Sequence, residues 1–299
     1  NQETVIHTKQ VDQIKEDKEV DCDKLTEIVK KLETLPGKIT LGSVSSVLYS
    51  SQKILCNDIQ TLLPRRWLHE TPLHLYFNQL IQKHPEYGYI PASSNPIFLR
   101  DARNSQNVQK QIDQINCICT QLIHGEIDSI LLPLHILDFW ALAVISGDGN
   151  VYIYDLVEHR SKTSGAINAF FFWVQRRFDE IDWELHHLVQ ESPKGVEKFN
   201  WTILVCMFAD VYCQNKNAPE SVISTVCSMD ANQYRNVMIQ RLFKEYELRF
   251  PIQPEKPSAS LLSSPTIPEL SALSSCDIDI LSIMDIDTFG REELLELEF

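Results

Sequence analysis

The side chains able to do covalent or acid–base work are eight cysteines and nine histidines, and their spacing limits what they can do together. A structural zinc site needs paired thiols or imidazoles a few residues apart. No C-x-x-C pair occurs, and the nearest two thiols, Cys117 and Cys119, have no second pair to complete a tetrahedron. No metal and no cofactor is therefore expected, and the thiols read as reduced, in a nuclear or cytoplasmic setting. A nucleophilic cysteine needs a base within reach and surroundings that lower its pKa. Cys206 lies inside an entirely apolar helical run, which marks a core thiol, and Cys213 lies near that run's far end. Among the imidazoles, His135 precedes Phe139 by four residues and His186 and His187 fall in a strand-like stretch; core or edge roles are expected for all three.

The elements that must position such groups follow from apolar periodicity. Helical spacing predicts helices over 24–35, 71–83, 107–122, 164–178, 201–213 and 231–248. The first carries Leu25, Ile28, Val29 and Leu32 on one stripe and ends at Pro36-Gly37; the last has Asp230 as N-cap with Gln233 three residues on. Strands are predicted over 129–134, 139–146, 151–156 and 183–189. The stretches FWALAVIS and VYIYDLV, joined by Gly147-Asp148-Gly149-Asn150, read as a β-hairpin. The fold class is α+β, with a mainly antiparallel central sheet flanked by helices.

Composition divides the chain into a polar segment with one amphipathic helix (1–44), a dense apolar domain (45–250), a Pro/Ser linker (251–270) and an acidic, hydrophobic tail (271–299). The formal charge of −14 argues against a nucleic-acid surface, since phosphate contacts need clustered Lys and Arg. The compact basic groups, Lys30/Lys31, Arg65/Arg66 and Arg176/Arg177, read as solvated faces. No apolar run reaches the ~18 residues of a membrane span, and the first segment has neither the basic nor the apolar region of a secretory signal, so neither membrane insertion nor secretion is expected.

Five blocks, in order and with fitting gaps over about residues 50 to 246, resemble the ubiquitin-like-protein (SUMO/sentrin) proteases, cysteine peptidases of the adenain-like, papain-like fold. ILCNDIQTLLPRRWLHETPLHLYFNQL is similar to the entry segment, with Trp67-Leu68 in place of its Trp-Leu pair. ILLPLHILDFWALAVIS is similar to the strand ending in a His-Trp pair, VYIYDLV to the return strand with its Asp, and ESPKGVEKFNWTILVCMFADVY to the loop and helix that supply a Gln and the nucleophilic Cys. SMDANQYRNVMIQRLF resembles the closing helix, with its Tyr-Arg pair at Tyr234 and Arg235.

The resemblance implies a triad of Cys, His and Asp with a Gln at the oxyanion. Placed residue by residue, it puts Phe139 at the base, directly before Trp140. It puts Trp201 at the nucleophile, Gly195 at the Gln, and Asn200 where the family has Asp. A phenyl ring takes no proton, an indole N–H only donates, and glycine offers no side-chain donor. Only Asp155 survives in kind. The expectation is a catalytically degenerate member, a pseudoprotease and not an enzyme, serving as an interaction or scaffold subunit of a complex. Its binding residues would be Trp67, Trp140, Phe139 and Trp201. Phe139 and Trp201 should meet across the old cleft and fill the channel that in active relatives threads the modifier's tail. The alternative is an active cysteine protease, a deSUMOylase or deubiquitinase, with displaced catalytic groups.

In the tail, Ile278, Ile280, Leu281 and Ile283, flanked by Asp277, Asp279, Asp285 and Asp287, resemble a SUMO-interacting motif: a short apolar strand with carboxylates to meet a basic surface. Amphipathic docking helices over 273–281 and 294–299 are the competing reading. The expected partner is a protein, SUMO or another ubiquitin-like modifier among the candidates; no nucleic acid and no membrane is expected.

Overall fold

Short apolar runs in the middle of the chain build one five-stranded sheet, and a helix buried over nearly its whole length packs across it. The computed structural model describes residues 22–44, 52–92, 106–136, 139–156, 160–190, 197–215 and 218–250. Its elements are α1 (Cys22–Thr34), β1 (Thr40–Val44), β2 (Gln52–Leu55), α2 (Cys56–Gln60), α3 (Glu70–Lys83), β3 (Tyr87–Tyr89), α4 (Gln106–Ile123), β4 (Ser129–Ile136) and β5 (Phe139–Ser146). There follow β6 (Asn150–Leu156), α5 (Arg160–Arg177), β7 (Glu184–Gln190), a 3₁₀ turn (Lys198–Asn200), α6 (Trp201–Gln214), α7 (Pro219–Cys227) and α8 (Ala231–Glu245). The α+β class, the six long helices and the hairpin expected from the sequence are all present.

The sheet order is β3-β4-β5-β6-β7. Its centre is antiparallel as expected, but both edges are parallel: β3 runs with β4 and β7 runs with β6. The reason is connection length, because β3 reaches β4, and β6 reaches β7, only through the crossover helices α4 and α5. Pro133 is tolerated inside β4 because the β3 pairing ends at Leu131, so its missing N–H has no ladder bond to lose. Gly149, at φ +90°, lets the β5–β6 turn close where any side chain would be strained.

The pleat sorts the two cores. Leu142, Val144 and Tyr154 join α6 and α8 in one buried cluster, whereas Ala141, Ala143, Ile145, Val151 and Ile153 join α4 and α5 in the other. From Thr202 to Cys213 every residue of α6 is buried, which makes it the central helix of the first cluster. Leu25, Ile28 and Leu32 of α1 belong to that same cluster. The division expected at residue 44 therefore falls within one packed body, between strands β1 and β2 of a two-stranded sheet. Helix α8 is shorter than expected. It ends at Glu245 because Glu247 turns left-handed (φ 46°) and the Leu248 N–H returns to the Phe243 carbonyl at 3.2 Å. Among the described residues no helix is long and apolar enough to cross a membrane.

Candidate functional site

Three segments converge at the N-terminus of α6. The sequence supplies an aromatic residue to each: Trp67 from the 61–69 loop, Phe139 from the first position of β5, and Phe199 and Trp201 from the turn that opens α6. The Phe139 and Trp201 ring centroids lie 5.5 Å apart. Trp67 meets Phe199 edge-on at 5.3 Å and Trp201 at 6.4 Å, and Lys198 Nζ stands 6.0 Å from the Trp201 ring. Trp140 packs against the first core cluster and stacks at 4.4 Å on His135, its cross-strand partner on β4. Trp67 remains 46% exposed, and Phe139, Trp140, Phe199 and Trp201 are partly exposed. The expected meeting of Phe139 and Trp201 is thus observed. Such ring pairs contribute about 1 kcal/mol beyond simple burial.

Under these rings lies a buried clamp that the sequence reading did not foresee. Arg235 of α8 is completely buried. Its guanidinium donates to the carbonyls of Thr61, Leu63 and Arg66 in the Trp67 loop, and to Phe199 O and Asn200 Oδ1 in the turn before α6. One side chain therefore fixes both walls of the mouth. Asn200, committed to Arg235, makes no side-chain cap on α6. With acceptors that are all neutral, burial pulls the Arg235 pKa down to about 10. Next to the clamp, Tyr234 donates to Asp210 Oδ2 at 2.9 Å, Arg241 reaches the same oxygen at 3.3 Å, and Tyr76 bonds Tyr234, so that α3, α6 and α8 are tied together.

Asp155 is buried on β6. The hairpin register, Leu142 opposite Tyr154, places it on the same face as Phe139, one diagonal step away. That relation suits a carboxylate that would orient a base at position 139. In this chain its Oδ2 accepts from Thr163 Oγ1 of α5 at 2.9 Å and lies 3.5 Å from His187 Nε2 of β7. A hydroxyl thus holds Asp155, and the His187 imidazole stands beside it without a hydrogen bond through Nε2. No thiol lies within hydrogen-bond reach of His187 among the described residues.

The two thiols of α6 are poorly placed for chemistry. Cys206 is wholly buried, and burial together with the neighbouring Asp210 charge pushes its pKa far above the ordinary thiol value; burial does the same to Cys213. Among the described residues no cluster of His, Cys, Asp and Glu could hold a metal. Gly195 and the tail residues Ile278, Ile280, Leu281 and Ile283 lie outside the described residues.

A structural likeness settles the architecture. The C-terminal Ulp1 protease domain in complex with Smt3, the yeast ortholog of SUMO, superposes with a TM-score of 0.54 at 18% identity, over 74% of this chain and 94% of that one. The fold is that of the Ulp1 SUMO proteases. Ulp1 with its catalytic cysteine oxidised to a sulfonic acid gives 0.52 at 18% identity, over 74% and 94% of the two chains. The Ulp1-like SUMO protease catalytic domain of Chaetomium thermophilum gives 0.51 at 14%, over 73% and 88%. No protein-family model matches the sequence. Within this Ulp1 fold, α6 is the central helix and the aromatic mouth sits at its N-terminus.

Proposed function

We propose that this chain is a non-catalytic, SUMO-protease-like module that binds a protein, a ubiquitin-like modifier foremost, through the aromatic mouth at the start of α6. The observation that carries the reading is the 5.5 Å contact between Phe139 and Trp201, at the two positions that the resemblance assigns to base and nucleophile. Neither ring can move a proton from a thiol or attack a carbonyl. Partly exposed tryptophan and phenylalanine held on a rigid base are the residue types that dominate binding energy at protein interfaces. The module acts as a scaffold subunit in the nucleus or cytoplasm. Its tail, through Ile278, Ile280, Leu281 and Ile283, offers a second contact to a modifier.

The deciding experiment offers the full chain to propargyl-terminated SUMO and ubiquitin, and measures their non-covalent binding by calorimetry. No adduct is expected, with binding that Trp67→Ala weakens. Covalent labelling at any cysteine sinks the proposal and favours a displaced protease, for which the Asp155–His187 pair would be the starting point. The double change Phe139→His with Trp201→Cys tests the positions themselves. It places an imidazole one diagonal step from Asp155 and a thiol at a helix N-terminus, and labelling should appear.

A further inference from the structure

At the other end of α8, the first and last described elements of the body form a groove of about 470 Å³. Its floor is apolar: Ile28 of α1, with Phe243, Leu248 and Phe250, the last two rings 5.2 Å apart at Phe243 and Phe250. Its rim is cationic, set by Lys24 and Lys31 on α1 and by Lys244 and Arg249 at the end of α8. Lys31 pairs with Glu27 at 2.6 Å and stands 5.4 Å over the Phe250 ring, and Arg249 lies 3.7 Å from Glu247. Among the described residues that line the groove, four are cationic and one, Glu27, is anionic, in a chain whose formal charge is −14. The groove shares no residue with the aromatic mouth.

We infer that this groove docks an acidic, apolar-anchored peptide segment of another protein. A cavity of this size takes one or two large side chains, which the apolar floor would desolvate. Carboxylates on either side of those anchors would meet the lysines and Arg249, which fix register and attract the segment from a distance. A nucleic acid fits poorly, because four cations around an apolar floor give no phosphate-spaced track and the chain as a whole carries a formal charge of −14. The mode is that of a short amphipathic segment laid into a groove between helices.

The test is fluorescence anisotropy on the full chain, with the labelled peptide EELLELEF as an acidic, apolar probe and QQLLQLQF as its neutral counterpart. The acidic probe should bind, more weakly as salt rises. The triple variant Lys31→Gln, Lys244→Gln, Arg249→Gln should lose roughly tenfold in affinity, the combined effect of three exposed charge contacts, while thermal unfolding shifts only slightly through the lost Lys31–Glu27 pair. Equal binding of the neutral probe, or no loss in the triple variant, overturns the inference. A full-length variant with the eight carboxylates of residues 277–298 changed to amides completes the test. If it binds the probe and the native chain does not, the groove is the seat of the chain's own tail and the partner inference fails.

Discussion

The mouth of the cleft and the clamp beneath it have opposite chemistries. The mouth is a set of partly exposed rings in edge and tilted contact. The clamp is a buried guanidinium whose five hydrogen bonds all end on backbone carbonyls or one amide, beside a carboxylate shared by a tyrosine and a second arginine. Residues at the surface of a site can be exchanged for a new use; residues that satisfy buried charge cannot. The positions that the resemblance assigns to the triad divide the same way. Phe139 and Trp201 are rings at the mouth, whereas Asp155, buried, accepts a hydrogen bond from Thr163.

The largest effect should come from Arg235→Met, which leaves the carbonyls of Thr61, Arg66 and Phe199 without their donor and frees the Trp67 loop. Urea unfolding should show a loss of about 3–5 kcal/mol. A loss below about 1 kcal/mol would erase the distinction between mouth and clamp. The second test uses pH. His74, buried in α3, accepts from the Asn78 amide at Nε2, and burial pulls its pKa from 6.5 to about 4. Below pH 6.5 the unfolded chain binds a proton that the folded chain refuses, so stability is full above that pH and falls as the pH drops towards 4. The loss there is roughly 3 kcal/mol, and His74→Gln should flatten this acid limb in denaturation curves.

A smaller, favourable change sharpens the same point. Asn200→Asp would give the buried Arg235 a carboxylate in place of an amide, raise its pKa from about 10, and add about 1 kcal/mol to stability in thermal melts. The smallest effect on stability should be that of Trp67→Ala, under about 1 kcal/mol, because the ring is nearly half exposed. On partner binding the same change should cost about 2 kcal/mol or more by calorimetry. A mouth residue that governed stability more than binding would reverse the comparison.

The long elements were legible in two ways: α1 buries one periodic apolar stripe, whereas β5, β6 and α6, buried on all sides, read as dense apolar runs whose length and the Gly147–Asn150 turn tell strand from helix. Strand β3 was not, since Tyr-Gly-Tyr is three residues long and buried throughout, leaving no alternation to read. Its glycine is forced by contact, because a Cβ there would come within 2.8 Å of Ile118 and Ile127 side-chain atoms. Helix α7, nine residues behind Pro219, was too short to announce itself. At the site, the pairing of Phe139 with Trp201 was legible through the order and spacing of the blocks around them. The Arg235 clamp was not, for a physical reason: its acceptors are mostly main-chain carbonyls, which every residue carries, so no residue type marks them. The nearness of His187 to Asp155 was hidden likewise, because a parallel pairing between β6 and β7 joins residues that sequence distance gives no reason to match.

The clamp also sets a schedule. Arg235 joins Thr61 across 174 residues of chain. During synthesis the Trp67 loop leaves the ribosome long before its anchor exists, and at about 5–20 residues per second the wait lasts on the order of ten seconds or more. Until α8 emerges, neither wall of the mouth has its fastening, so the surface proposed to meet a partner is among the last parts of the molecule to be finished. A nascent chain stalled before α8 would carry most of its sheet and no working mouth.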